Sequence, residues 1–72
     1  MSQSIEIETE YITLGQLLKE TGVIDSGGMA KWFLSEHEVL VNQEPEQRRG
    51  KKLYHGDEIK IEGAGTFMVS SK

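Results

Sequence analysis

The chain has no cysteine, a single proline, one tryptophan and few aromatic residues of any kind. Without thiols there is no disulfide framework and no thiolate metal site, and a reducing cytoplasm is the natural setting. Apolar runs never exceed three residues, so no segment reads as a membrane span. The first residues, Met-Ser-Gln-Ser-Ile-Glu, lack the basic and apolar regions of a secretory leader. A cytoplasmic protein without membrane association is expected. At 72 residues the chain is read as one domain, 1–72. A chain this short buries only about 60% of the surface its unfolded form exposes. That leaves no room for a deep catalytic cleft, and neither a cofactor nor a small-molecule ligand is expected.

What is present is charge, unevenly placed. The net charge of −4 argues at first against a nucleic-acid partner. Yet Arg48, Arg49, Lys51 and Lys52 put half of all the cations into five residues with no acid among them. The other 67 residues carry 4 basic and 12 acidic groups, a net of −8. Such clustering makes an electrostatic footprint even on an acidic protein, while the acidic remainder weakens indiscriminate adhesion.

Hydrophobic spacing organises the rest. Residues 5–11 alternate strictly, with Ile5, Ile7, Thr9 and Tyr11 on one face and Glu6, Glu8 and Glu10 on the other, the period of a half-buried strand. Thr13 and Gln16 have capping-box spacing, and Ile12 and Leu17 are placed as a hydrophobic staple. Leu14, Leu17, Leu18 and Thr21 mark one face of a first helix, which Gly22 ends. A second helix is predicted from Ser26, an N-cap candidate, to about Glu36 or His37. Its inward stripe is Ala30, Phe33, Leu34 and His37, with Lys31, Trp32 and Ser35 projecting away. The short connection predicts that the two helices pack together. Val39 to Val41 then reads as a strand, 42–50 as a polar loop around Pro45 and 51–54 as a short strand. His55-Gly56-Asp57 reads as a turn, 58–62 as a strand, 63–65 as a turn and 66–70 as a last strand with Phe67 and Val69. The predicted order is β-α-α-β-β-β-β, an α+β domain. Either terminal strand, 5–11 or 66–70, is expected to offer a free edge.

From Thr13 to Ile61 these residues form an ordered series. Leu14, Leu17 and Leu18 lie in the first helix, and Ser26, Ala30 and Leu34 in the second. Val39, Val41 and Asn42 lead into the sheet, and Gly56-Asp57-Glu58-Ile59 closes it. In that series the chain resembles the S-four family of RNA-binding domains, named after the fourth protein of the small ribosomal subunit. The motif core, 13–61, covers about 49 of the 72 residues. The runs Ser26-Gly27-Gly28-Met29-Ala30-Lys31-Trp32-Phe33-Leu34 and Arg48-Arg49-Gly50-Lys51-Lys52-Leu53 are most similar to small stand-alone bacterial members. Those are generally regarded as ribosome-associated RNA binders, some with a suggested role in ribosome assembly. The resemblance implies the αL motif, two packed helices beside a small, mostly antiparallel or mixed sheet, and an RNA partner, above all ribosomal RNA. Three positions depart from the pattern. Gly27 stands where an arginine usually follows the helix-two serine, His37 where a glycine precedes the first valine, and Gln43 where a glycine follows the asparagine. Loss of the arginine removes a usual RNA contact and shifts weight to Lys31 and the 48–52 loop.

Each candidate has a plainer reading. The 48–52 cluster is either a solvated hairpin loop or a phosphate-binding surface in which arginine forks and lysine point charges meet the backbone, with Gly50 allowing close approach. Four phosphate contacts on a single strand would give a log-affinity against log-salt slope of roughly −3. Ser26, with Gly27 and Gly28, reads first as an ordinary helix start and second as an anion site. Lys31 reads equally as a common exposed helical lysine and as a phosphate contact. Trp32 is assigned to covering one edge of the core, with base stacking as the lesser reading. His37 is expected at the core edge and His55 in a turn; with no third ligand they make no metal site. The row Glu6, Glu8 and Glu10 is a solvated strand face. Ser35 and His37, two apart on a helix, do not face each other, and no nucleophile–base–orienter set exists, so no enzyme is expected. The leading expectation is a non-catalytic RNA-binding module using Arg48, Arg49, Lys51, Lys52, Lys31 and Ser26. The alternatives are a protein-interaction adaptor using the acidic faces and, less favoured, a DNA-binding module.

Overall fold

The computed structural model describes residues 2–71. In chain order the elements are β1 Ser2–Ile7, β2 Ile12–Thr13, α1 Leu14–Glu20, a 3₁₀ turn Gly27–Met29 leading into α2 Ala30–Glu36, then β3 Val39–Val41, β4 Glu44–Pro45, β5 Lys52–Leu53, β6 Glu58–Ile61 and β7 Gly65–Ser71. The class is α+β, as expected. The main sheet has the order β1-β7-β6-β3-β4, and β2 and β5 form a separate two-stranded ribbon. Only β1 and β7 run parallel, from Ser2↔Thr66 to Ile7↔Ser71; the other pairs are antiparallel.

Period-two spacing turns Val39, Val41, Ile59, Ile61, Phe67 and Val69 to one side of the sheet. There they join Leu14, Leu17 and Leu18 of α1 and Ala30, Phe33 and Leu34 of α2 in one core cluster. Burying each large aliphatic or aromatic side chain contributes about 1.5–3 kcal/mol before entropy is counted. No polar or charged residue is buried among the described residues. The end of α1 is a Schellman turn. Val23 N–H donates to Leu18 O (3.2 Å) and Gly22 N–H to Lys19 O (3.1 Å), with Gly22 at φ 82°. Val23 packs against the core, which turns the chain back toward α2.

Five expectations need correction. The first strand begins earlier and ends at Ile7, because residues 8–10 form a bend, and Tyr11 lies outside it. The 42–50 segment is not all loop: Glu44 and Pro45 pair with Val41 and Leu40, through a tight turn in which Asn42 and Gln43 take φ of 52° and 71°. Proline is tolerated there because β4 is an edge strand. Ser26 stands in the N-cap position, but its side chain makes no capping bond, and the helix opens with a 3₁₀ turn. Trp32 is 55% exposed rather than covering the core, with its ring edge-on to His37 at 6.2 Å. Finally, β7 is an interior strand between β1 and β6, so among the described residues the edges of the main sheet are β1, one of the two strands expected there, and β4.

Candidate nucleic-acid interface

The site starts with the four backbone N–H groups that any helix leaves unpaired at its N-terminus. In α1 all four have partners. Thr13 and Gln16 form the capping box: Thr13 N–H donates to Gln16 Oε1 at 3.1 Å, and Gln16 N–H to Thr13 Oγ1 at 3.3 Å. The two between them are taken by the basic stretch. Leu14 N–H donates to Lys51 O and Gly15 N–H to Arg49 O, both at 2.8 Å. The carbonyls of 49 and 51 thus point into the helix end. Arg49 is exposed and Lys51 half-buried. The positive end of α1 is occupied by the protein's own carbonyls and is closed to an external anion. Contact is close at Gly15, where a Cβ would lie 3.3 Å from Arg49 O, 3.5 Å from Arg49 Cβ and 3.6 Å from Ala30 Cβ. Gly15 is therefore where the basic stretch, α1 and the start of α2 meet.

The four cations are not equivalent. Arg48 folds back onto Glu46, with Nε 2.9 Å from Oε2 and an η nitrogen 3.2 Å from Oε1; its backbone N–H adds a third bond at 3.1 Å. Hydrogen bonds from the guanidinium are the main cause that holds the Glu46 carboxyl down at about 2. Burial opposes this as the second-largest effect, and the Arg48 N–H and the charges of Arg48 and Lys51 add smaller lowering effects. Arg48 is thus partly neutralised before any ligand arrives.

Lys52 belongs to the β2–β5 ribbon. Its register pairs Ile12 with Leu53 and Thr13 with Lys52. Ile12 and Leu53 turn inward and are buried. Beyond that pair stand Tyr11 and Tyr54, 37% and 45% exposed, with ring centroids 5.9 Å apart and planes tilted by 49°. Lys52 Nζ lies 4.9 Å from the Tyr11 ring centroid, within range of a cation–π contact.

The turn after β5 is held by Asp57. Its carboxylate accepts from Tyr54 N–H at 2.7 Å and from Asn42 Nδ2 at 3.1 Å, while Asn42 Oδ1 accepts from Glu58 N–H at 3.0 Å. Asn42 and Asp57 therefore brace the sheet rather than present free polar groups.

Of the sequence-predicted residues, Arg48, Arg49, Lys51 and Lys52 lie together, and Arg49 and Ala30 of α2 both lie against Gly15. Lys31 and Ser26 are exposed at that start, without a bond to the basic stretch. His37 sits at the core edge as expected, its ring stacked on Phe33 at 4.6 Å and its Nδ1 3.7 Å from Glu62. His55 lies in its turn and accepts from Ser71 N–H at 3.0 Å through Nδ1. Gly15, Glu46, Tyr11 and Tyr54 were missed. Two signals were available for them: an acid two residues before Arg48, and a tyrosine two residues after Lys52. Among the described residues no helix is long and apolar enough to cross a membrane, and no three His, Asp or Glu side chains gather as metal ligands.

The chain is 68% identical over 69 residues to a Bacillus subtilis (strain 168) protein named "Probable ribosome maturation protein RlbA", covering 96% of this chain and 97% of that relative. No solved structure matches it significantly. The family model described as "S4 domain" matches residues 5–70, beyond the 13–61 core on both sides. With the helix pair, the mixed sheet and the basic stretch seated on α1, these matches establish that the chain belongs to the S4 domain family.

Proposed function

We propose that this chain is a non-catalytic RNA-binding module that acts on structured ribosomal RNA during ribosome maturation in the bacterial cytoplasm. The observation that carries the reading is the seating of the basic stretch. Two backbone hydrogen bonds to α1 hold its carbonyls inward on a chain otherwise acidic. A loop fixed in this way loses little entropy when it meets a polyanion, and structured RNA is recognised largely through its backbone and shape. Membership of the S4 domain family and the printed name of the Bacillus relative support the same reading.

Within it, Arg49, Lys51 and Lys52 carry the main phosphate contacts, and Lys31 and Ser26 extend the surface along the start of α2. Arg48 contributes less, because Glu46 already holds its guanidinium. Three phosphate contacts give a log-affinity against log-salt slope of about −2 on single-stranded and about −3 on paired segments. The test is crosslinking in cells with sequencing of bound RNA, in the wild type and in an Arg49→Glu, Lys51→Glu, Lys52→Glu variant. Ribosomal RNA should be recovered with the first and lost with the second. Equal recovery from both would move binding to another surface.

A further inference from the structure

The β2–β5 ribbon carries more than its packing needs. Ile12 and Leu53 already bury its inner side, yet the next pair outward is Tyr11 and Tyr54, both substantially exposed and in mutual ring contact. These are the only two tyrosines in the chain. Tyr54 follows Lys52 by two residues, and the Lys52 ammonium stands over one face of the Tyr11 ring, 4.9 Å from its centroid, which leaves the Tyr54 ring and the other Tyr11 face for a base. Asp57 fixes the Tyr54 backbone through its N–H. The outcome is a held aromatic surface, continuous with the basic stretch, with the Lys52 ammonium over one of its rings.

We infer that Tyr11 and Tyr54 form a stacking platform for one unpaired RNA base, with the Lys52 ammonium taking the adjoining phosphate. This rests on the RNA-binding reading above and sharpens it: the RNA must offer a bulged or looped-out nucleotide beside its paired backbone. An aromatic face binds a base without reading its sequence, so the platform selects a structural feature, an extruded base, rather than a base identity.

The test uses the full chain with Trp32→Phe, so that the two tyrosines become its principal emitters. The probes are a synthetic RNA hairpin with a single bulged adenosine and the same hairpin with the bulge removed, titrated at low salt. The bulged hairpin should quench tyrosine emission and bind about tenfold more tightly, the scale of one base–aromatic stack. Tyr11→Leu and Tyr54→Leu should erase that advantage, costing the bulged hairpin about tenfold more affinity than the paired one. Tyr54→Phe should preserve it. Equal wild-type affinity for the two hairpins with unchanged emission overturns the platform and leaves the basic-loop reading standing. A loss in the leucine variants that is the same for both hairpins also overturns it, since that marks a purely structural role. Failure of the wild type to bind either hairpin overturns both readings.

Discussion

The N–H of Gly15 and the carbonyl of Arg49 are joined at 2.8 Å, and a methyl group on Gly15 would stand 3.3 Å from that same oxygen. Two constraints meet here: the helix needs a partner for its amide, and the loop approaches too closely for a branched side chain. Gly15→Val should lower the unfolding free energy by about 1–3 kcal/mol, the usual range for overpacking, and should weaken RNA binding by displacing the loop. Gly15→Ala should stay within about 1 kcal/mol of wild type, because its helix propensity offsets the crowding. Urea denaturation of both variants distinguishes these outcomes.

The Glu46–Arg48 pair predicts a pH window. The Glu46 carboxyl titrates near 2 in the folded chain against 4.5 ordinarily. A depressed carboxylate stabilises the fold fully above its unfolded value, and that contribution fades as pH falls from about 4.5 through 2. Carboxyl carbon shifts followed by NMR should put the Glu46 midpoint near 2. In Arg48→Ala it should return toward the ordinary range, and the difference in stability between the two proteins should shrink below pH 4.

Gln43 occupies the left-handed region at φ 71°, which costs a side-chain-bearing residue about 1–2 kcal/mol. Glycine removes that cost but loses more chain entropy on folding. Gln43→Gly should therefore raise stability by about 0.5–1 kcal/mol, read as a higher urea midpoint with an unchanged slope. Destabilisation would mean that the Gln43 side chain holds the turn in some other way.

Trp32→Ala measures how little the exposed indole packs. A buried tryptophan loses about 3–5 kcal/mol on truncation. With Trp32 more than half exposed and touching His37 only edge-on, the loss should stay below about 1 kcal/mol in thermal or urea unfolding.

What the sequence disclosed and what it withheld divide along sequence separation. The Thr13–Gln16 box, the Leu14–Leu17–Leu18 face and the Gly22 stop are interactions within a turn or two, and the structure contains them as read. The clustering of Arg48, Arg49, Lys51 and Lys52 was visible for the same reason. The pairing of Ile12 with Leu53 was not, since two residues make too short a strand to leave a periodic trace. Tyr11 shows the cost: alternation with Ile5 and Ile7 placed it on an inward strand face, whereas the bend at 8–10 hands it to a different ribbon. Trp32 projects away from the inward stripe as its spacing predicts, but it does not cover the core edge, because Ala30, Phe33 and Leu34 already fill the inward side of α2.

The parallel pairing of β1 with β7 has a consequence for the order of synthesis. Of the described strands β1 is translated long before its partner, Gly65–Ser71, so it is made early and seated late. The hairpins joining β3, β4, β6 and β7 can form among near neighbours, while β1 waits with its backbone groups on water. Closing so long a loop is a slow, late step. A chain truncated before β7 would lose Phe67 and Val69 from the core and leave a six-residue strand with nothing to join.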